Sequence, residues 1–152
     1  MTGRVILITG VMAAGKSTVA QALAERLPKS VHLRGDVFRR MIVNGQAELG
    51  FELTEAAREQ LYLRYRIAVD AARKYAEAGF TVVYQDIILG NSLREVVEWF
   101  GETPVDVVVL APDVAEVARR EDDRSMTGYR HDDDVAAFDR VLRDETPRVG
   151  LW

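Results

Sequence analysis

The sequence predicts an α/β fold, a three-layer sandwich in which helices cover both faces of a parallel sheet. Apolar runs of strand length alternate with segments of helical periodicity, and this alternation is typical of β–α–β units. The first run, residues 5–8, is apolar at every position and largely β-branched, as expected of a strand buried on both faces. The 152 residues contain no repeat, low-complexity tract or linker, so one domain is expected.

The strands are the easiest elements to place. Each is a short apolar run rich in β-branched side chains, and each is bounded by turn residues or by a helical pattern. Gly10 ends the first strand, and Gly35 follows the second. The four strands are predicted at residues 5–8, 30–33, 80–84 and 105–110.

Six helices are predicted between and after these strands. The first begins at Lys16 and is closed by Pro28, because proline cannot continue a helix. The longest covers residues 54–79, and its final glycine can supply a C-terminal cap. Ser92 and Glu95 have the spacing of a capping box, which predicts a helix start at Ser92. The other helices are expected at residues 36–45, 112–120 and 133–145.

Composition restricts the classes of partner. The formal net charge of −4 gives no general attraction for a nucleic-acid backbone, so no nucleic-acid partner is expected. The chain has no cysteine, which excludes disulfides, thiolate metal sites and a cysteine nucleophile. No apolar run approaches the roughly 18 residues of a membrane-spanning helix. The sequence therefore predicts no membrane partner and a cytoplasmic location.

The segment between the first strand and the first helix matches the phosphate-binding pattern G-x-x-x-x-G-K-[S/T] in full. Its glycines let successive N–H groups converge on phosphate oxygens, and the following helix adds its positive end. Lys16 would act on the β- and γ-phosphates and is predicted to be catalytic, while the Ser17 hydroxyl would bind Mg²⁺. Thr18 either reaches the α-phosphate or only lies in the first helical turn. The residues predicted to bind ATP are Gly10, Ala13, Ala14, Gly15, Lys16, Ser17 and Thr18.

An acid, Asp36, follows the second predicted strand. Residues just past the carboxyl ends of parallel strands line the ligand crevice, so this carboxylate is placed to accept the proton of a substrate hydroxyl. Arg39 and Arg40, about one helical turn later, are candidates to bind the substrate or the transferred phosphoryl group. The same pattern fits an N-cap aspartate followed by solvated arginines, and the sequence leaves both interpretations open.

A second acid, Asp86, ends the third apolar run and belongs to the same edge of the sheet. It resembles the strand-end aspartate that holds Mg²⁺, directly or through water, in nucleotide-binding proteins. Asp86 and Ser17 therefore form the predicted metal site. Apolar runs followed by aspartate are common, however, so a structural role is the alternative, and the sequence does not decide whether Asp36 or Asp86 is the main metal-associated acid.

A charge-rich segment, residues 119–134, is predicted to be a lid. A closing segment that carries arginine can neutralise the transferred phosphoryl group and exclude water. Arg120 and Arg124 are the catalytic candidates, because the i, i+4 spacing places them on one helical face. The alternative is a solvated, charged helix end. The acids at 132–134 are interpreted as N-cap and first-turn residues of the last helix.

Taken in order, these features resemble small-molecule P-loop kinases, and among them the chloramphenicol phosphotransferase-like group. The resemblance implies a P-loop NTPase fold with strand order 2-3-1-4-5, ATP and Mg²⁺ as cofactors, and phosphorylation of a hydroxyl group with Asp36 as the base. It does not identify the acceptor. The resemblance is carried by the run from Ala14 to Ser17, by Asp36, by the run from Asp86 to Gly90, and by the segment from Arg120 to Arg124.

Kinases of this kind continue through a fifth strand, whereas this sequence ends at residues 148–152, where that strand would begin. The expected sheet therefore has the order 2-3-1-4 with an open edge at its fourth strand. An open edge invites pairing, so either a truncation or a covering chain, such as a second copy, is expected.

Two functions remain in competition. The first is an ATP-dependent phosphotransferase that acts on a hydroxyl group of a small molecule, such as an antibiotic or a metabolite. The second is an ATP-hydrolysing switch module, which needs a residue that orients water and a segment released on hydrolysis. The sequence shows no obvious candidate for either requirement, and its acidic balance also counts against a nucleic-acid end kinase.

Overall fold

The computed structural model describes residues 2–50, 52–122 and 132–152, and only the backbone of residues 121, 122 and 132–134. Its elements alternate as the sequence predicts. In chain order they are β1 (Val5–Gly10), α1 (Lys16–Arg26), β2 (Ser30–Arg34), α2 (Asp36–Arg40), α3 (Glu55–Glu77), β3 (Thr81–Gln85), α4 (Ser92–Trp99), β4 (Val105–Leu110), α5 (Val114–Asp122) and α6 (Asp132–Arg140), followed by a π-helical turn (Val141–Glu145).

The four strands form one parallel sheet in the order β2-β3-β1-β4, which confirms the predicted order. Val5 of β1 pairs with Val82 of β3 on one side, and Gly10 pairs with Leu110 of β4 on the other. All strands therefore end at the same edge of the sheet. Because β1 is central, the loop that follows it lies in the middle of that edge, where ligands bind in open parallel sheets.

Two hydrophobic clusters show that helices cover both faces of the sheet, as predicted. On one face, Ile8 and Val83 pack against Ala20 and Ala24 of α1. On the other face, alternate strand residues such as Leu7 pack against α3, α4 and the C-terminal segment. The larger cluster contains the buried side chains Tyr65, Tyr84, Leu93, Phe100 and Leu142.

Helix α2 is shorter than the helix predicted at residues 36–45. It ends at Arg40, and the segment after it is hydrogen-bonded to a side chain of α3. Gln60 Nε2 donates to the Gly45 carbonyl (2.7 Å), and the Ala47 N–H donates to Gln60 Oε1 (2.8 Å). Gly45 also has φ +87°, a left-handed conformation that interrupts a helix.

The predicted capping box at Ser92 is wrong. The N-cap of α4 is Asn91, and no side chain caps this helix. The Ser92 hydroxyl lies 2.9 Å from the Tyr62 hydroxyl of α3. It therefore has a hydrogen-bond partner in another helix and does not cap its own.

Helix α3 has a true side-chain cap. Thr54 is its N-cap, and the Thr54 Oγ1 accepts a hydrogen bond of 3.1 Å from the Ala57 N–H. We expect Thr54→Ala to lower the free energy of unfolding by about 1 kcal/mol, because an N–H of the first turn loses its acceptor. Chemical denaturation measures the change. Thr54→Ser keeps the hydroxyl and serves as the control; an equal loss in both variants would contradict the assignment.

The outer edge of β4 is partly paired. Leu151 forms a parallel bridge with Val108, and its backbone bonds the Val107 carbonyl (2.9 Å) and the Val109 N–H (2.7 Å). Gly150 permits this approach, since a Cβ there would lie 2.2 Å from the Val107 carbonyl oxygen. The edge that the sequence predicts to be open thus carries one bridging residue.

Among the described residues, no helix is both long and apolar enough to span a membrane.

Candidate active site

The loop between β1 and α1 has the backbone of an anion-binding turn. Ala13 and Gly15 have φ values of +61° and +94°, in the left-handed region. Such residues turn neighbouring N–H groups toward a common centre, which forms a concavity for anions. Gly10 lies close to β4, because a Cβ there would be 2.7 Å from the Leu110 carbonyl oxygen. The left-handed conformation of Ala13 is uncommon for a residue with a side chain, and such conformations occur often at ligand-binding sites.

The N-terminus of α1 is open to an anion. Gly15 is the N-cap, no side chain caps the helix, and the first turn contains no acid. The first N–H groups of a helix have no partner within the helix, and their dipoles favour negative charge. Lys16 is buried, with its Nζ 2.7 Å from the Val11 carbonyl, and Ser17 and Thr18 are exposed at the start of the helix.

These residues fit the phosphates of a nucleotide and a Mg²⁺ ion. Left-handed residues in the loop and an uncapped helix end are features that suit a phosphate chain. The exposed Ser17 hydroxyl is a hard oxygen ligand of the kind that Mg²⁺ prefers. The roles of all the loop residues from Gly10 to Thr18 stay predictions, and the geometry is compatible with them.

Helix α5 brings Arg120 to this loop. Its Nη1 lies 3.3 Å from the Ala13 carbonyl, and its Nε donates to Glu116 at 2.9 Å. The same Nη1 would be 3.6 Å from a Cβ at Gly15. Arg120 is therefore beside the phosphate loop, as a residue that stabilises a transferred phosphoryl group must be. Arg124, its predicted companion, lies outside the described residues, as does most of the proposed lid.

We expect Arg120→Ala to slow ATP-dependent phosphoryl transfer about 100-fold or more, because a preorganised donor to developing charge is lost. Arg119→Ala is the matched control, since Arg119 also pairs with Glu116 but, among the described residues, forms no hydrogen bond with the loop. The measurement is ADP formation with an accepted substrate. Equal losses in the two variants would show that transfer depends on the general charge of the helix end and not on the contact of Arg120 with the loop.

Asp36 is the first residue of α2 and follows the end of β2. Its side chain is 41% exposed and forms an ion pair with Arg40, four residues later. Gly35, not Asp36, is the N-cap, so the N-cap interpretation of Asp36 is wrong. Arg39 donates to the Ala47 carbonyl at 2.9 Å and thereby holds the loop after α2. The proposed base and substrate-binding roles stay predictions, and Asp36 remains accessible to an acceptor.

Asp86 lies between these two groups, at the end of β3, and is fully enclosed by protein. It forms an ion pair with Arg64 of α3, with both side chains buried. The Tyr84 hydroxyl donates to Asp86 Oδ2 at 2.9 Å, and the Ile87 N–H donates to Oδ1 at 2.8 Å. The predicted Mg²⁺ role of Asp86 stays a prediction, but a cation bound directly would have to share the carboxylate with Arg64.

The pKa values of this buried group follow from its surroundings. Burial raises the pKa of the Asp86 carboxyl above its ordinary value, although Arg64, Tyr84 and the Ile87 N–H each lower it. Burial, reinforced by the charge of Asp86, also raises the pKa of Tyr65 and of Tyr84. Burial alone would lower the pKa of Arg64, but the adjacent carboxylate raises it. Both tyrosines therefore stay protonated and act as donors.

The structure thus places three predicted groups along one edge of the sheet, in the order Asp36, Asp86 and the phosphate loop. Asp36 follows β2 and the loop follows β1, so the two groups lie on either side of the end of β3.

Sequence reasoning missed three residues near the site. Arg64 lies on the apolar face of α3, between Leu61 and Ala68 in helical spacing, so a charge on a buried face was the available signal. Thr9 accepts from the Ile88 N–H and donates to the Ile88 carbonyl, both at 2.9 Å, which ties the base of the loop to the segment after β3. Gly35 gave no signal, because its importance depends on a contact with Asp86.

Solved structures share this fold. A sugar kinase from Janibacter sp. HTCC2649 has a TM-score of 0.71 at 19% identity, over 99% of this chain and 83% of that chain. A gluconokinase from Sinorhizobium meliloti 1021 has a TM-score of 0.65 at 20% identity, over 94% and 76%. A chain of the Pnkp1/Rnl/Hen1 RNA repair complex has a TM-score of 0.73 at 16% identity, over 97% of this chain and 48% of that chain.

This chain therefore spans about half the length of that RNA repair chain. At identities of 16–20% these likenesses establish the fold, which is that of P-loop kinases. No curated protein matches the chain. The model of a protein family described as AAA domain matches residues 5–147, nearly the whole length. With its complete phosphate-loop motif and its kinase-like sheet, the chain belongs to this AAA domain family.

Proposed function

We propose that this protein is an ATP-dependent phosphotransferase that moves the γ-phosphoryl group of ATP to a hydroxyl group of a small molecule. The observation that carries the proposal is the placement of an accessible carboxylate, Asp36, on the same sheet edge as the phosphate loop. A hydrolysing switch has no need of such a carboxylate, whereas a hydroxyl acceptor does.

Different residues of this chain have separate roles in the reaction. The N–H groups of the loop and Lys16 bind the β- and γ-phosphates, and Asp36 orients the acceptor hydroxyl and takes its proton. The acceptor oxygen forms a bond to the γ-phosphorus as the bond to the β-phosphate oxygen breaks, which leaves ADP. Arg120 is placed to stabilise charge on the transferred group. Mg²⁺, bound with Ser17, would neutralise phosphate charge.

The comparisons support this class of reaction. Two of the structures with this fold are described as a sugar kinase and a gluconokinase, and both names denote small hydroxylated acceptors. The narrower resemblance to the chloramphenicol phosphotransferase-like group stays a prediction, as do a cytoplasmic location and the absence of a nucleic-acid partner.

A panel of acceptors tests the proposal. ADP formation is measured with Mg²⁺ and ATP alone, and then with sugars, sugar acids, nucleosides, hydroxylated antibiotics and an RNA oligonucleotide with a 5′-hydroxyl end. We expect one class of small molecule to stimulate ADP formation and to yield a phosphorylated product by mass spectrometry. Hydrolysis that no compound stimulates would support the switch module instead. Stimulation by the oligonucleotide alone would replace the small acceptor with a nucleic-acid end.

A further inference from the structure

We infer that Arg64 and Asp86 form a buried pair that positions the Gly35-Asp36 turn, and that Asp86 serves this purpose instead of binding Mg²⁺ directly. Both are positioning residues in this view. The inference rests on the proposed function only in taking Asp36 as the base; the contacts that carry it do not depend on an acceptor.

Protein donors occupy three of the roughly four lone-pair sites of the Asp86 carboxylate. Oδ1 accepts from Arg64 Nη2 and from the Ile87 N–H, and Oδ2 accepts from the Tyr84 hydroxyl. Its side chain is 1% exposed. A Mg²⁺ ion needs oxygen ligands near 2.1 Å in an octahedral arrangement and keeps several waters, which an enclosed carboxylate that already accepts three hydrogen bonds does not accommodate.

Oδ2 of Asp86 also lies directly against the start of α2. A Cβ added to Gly35 would be 1.9 Å from Oδ2 and 2.4 Å from the carboxyl carbon. Gly35 itself has φ −63°, an ordinary value, so this position requires glycine because of the contact and not because of the backbone conformation. The Gly35 N–H further donates to the Gln85 carbonyl, next to Asp86, at 3.0 Å. The Gly35-Asp36 turn therefore packs against the Asp86 side chain.

Arg64 bonds the other carboxyl oxygen of Asp86, Oδ1, and holds that side chain in place. It reaches from α3, its side chain is 7% exposed, and its Nε has no hydrogen-bond partner among the described residues. A buried guanidinium persists only where a carboxylate compensates its charge. A divalent cation on the same carboxylate would lie within a few ångströms of this guanidinium and be repelled by it. The pair thus links α3, β3 and α2, and its arginine opposes direct binding of a cation to Asp86.

Direct metal binding and positioning make different predictions for Asp86→Asn. The variant keeps the size of the side chain but loses the ion pair with Arg64. If Asp86 positions the turn, the backbone amides of residues 35–41 should exchange hydrogen at least about tenfold faster, because the turn loses its contact with the Asp86 carboxylate. The amides of α1 should keep their protection from hydrogen exchange. If Asp86 is a metal ligand, the Mg²⁺ concentration needed to bind a nucleotide should rise at least about tenfold.

The experiment compares Asp86→Asn and Arg64→Met with the matched pair Asp106→Asn and Arg4→Met. Arg4 and Asp106 form an exposed ion pair of the same residue types, with side chains 53% and 56% exposed. Hydrogen exchange is measured by mass spectrometry, and Mg²⁺ is titrated against binding of a fluorescent ATP analogue. Tyr84→Phe, which removes only the hydroxyl donor to Oδ2, supplies a mild variant if the others fail to fold.

We expect both variants of the buried pair, and Tyr84→Phe to a smaller degree, to accelerate exchange in residues 35–41. Half-saturating Mg²⁺ should stay within about twofold of the original value, and both control variants should change neither quantity. With an accepted substrate, kcat should fall while the Kd of the ATP analogue is kept. A tenfold rise in half-saturating Mg²⁺, or unchanged exchange in residues 35–41, overturns the inference. If no acceptor is found, the proposed function fails, but exchange and Mg²⁺ titration still decide this inference.

Discussion

Lys16→Ala should abolish nucleotide-dependent activity, with a loss of at least about 100-fold in phosphoryl transfer. The ammonium group of Lys16 is held inside the loop, beside the Val11 carbonyl, where it is placed to meet the β- and γ-phosphates. The Lys16→Ala variant keeps the N–H groups of the loop but loses the full positive charge that complements the β- and γ-phosphates during transfer. Transfer is measured as ADP formation with an accepted substrate.

Thermal stability gives a second readout of the same variant that needs no acceptor. A ligand that binds only the folded state stabilises it by RT ln(1 + [L]/Kd), which is about 2.7 kcal/mol at a hundredfold excess over Kd. We expect ATP with Mg²⁺ to raise the Tm of the original protein and to leave that of Lys16→Ala nearly unchanged. Lys74→Ala, an exposed lysine near the end of α3, is the control. Undiminished transfer in Lys16→Ala would refute the site.

Asp36→Asn should lower kcat by about 10² to 10⁴, because the amide cannot take the proton of the acceptor hydroxyl. The Kd for ATP should change little, since Asp36 follows β2, two strands away from β1 and its phosphate loop. The two constants are measured separately, by steady-state kinetics with an accepted substrate and by binding of a fluorescent ATP analogue.

The ion pair with Arg40 complicates Asp36→Asn and calls for a control. Neutralising Asp36 frees an exposed arginine, but an exposed pair of this kind contributes little to stability, about 0–1 kcal/mol. Asp106→Asn also breaks an exposed aspartate–arginine pair, at the far end of the sheet, and should leave kcat unchanged. If Asp36→Asn weakens ATP binding as much as it lowers kcat, Asp36 acts on the nucleotide or its metal and is not the base.

The sequence by itself determined the phosphate loop and the layered parallel sheet. Both are encoded locally: the loop in the consecutive residues Gly10 to Ser17, and each strand in its own apolar run. Backbone N–H groups bind phosphate, so a short motif with the right glycines is enough to specify the geometry. The strand order came from the resemblance to P-loop kinases, and the structure confirmed it.

Tertiary structure alone decided how the residues around the loop are used. Three contacts join residues from different elements: the ion pair between Arg64 and Asp86, the close contact of Gly35 with the Asp86 carboxylate, and the hydrogen bond from Arg120 to the Ala13 carbonyl. No local pattern encodes such contacts, because they depend on which strands are neighbours and on how deeply each side chain is buried. The Ser92 hydroxyl illustrates this, since its spacing to Glu95 indicated a cap and its position beside Tyr62 gave it another partner. A motif of consecutive residues determines its own backbone conformation. The role of a buried charged side chain depends instead on the residues that folding brings into contact with it.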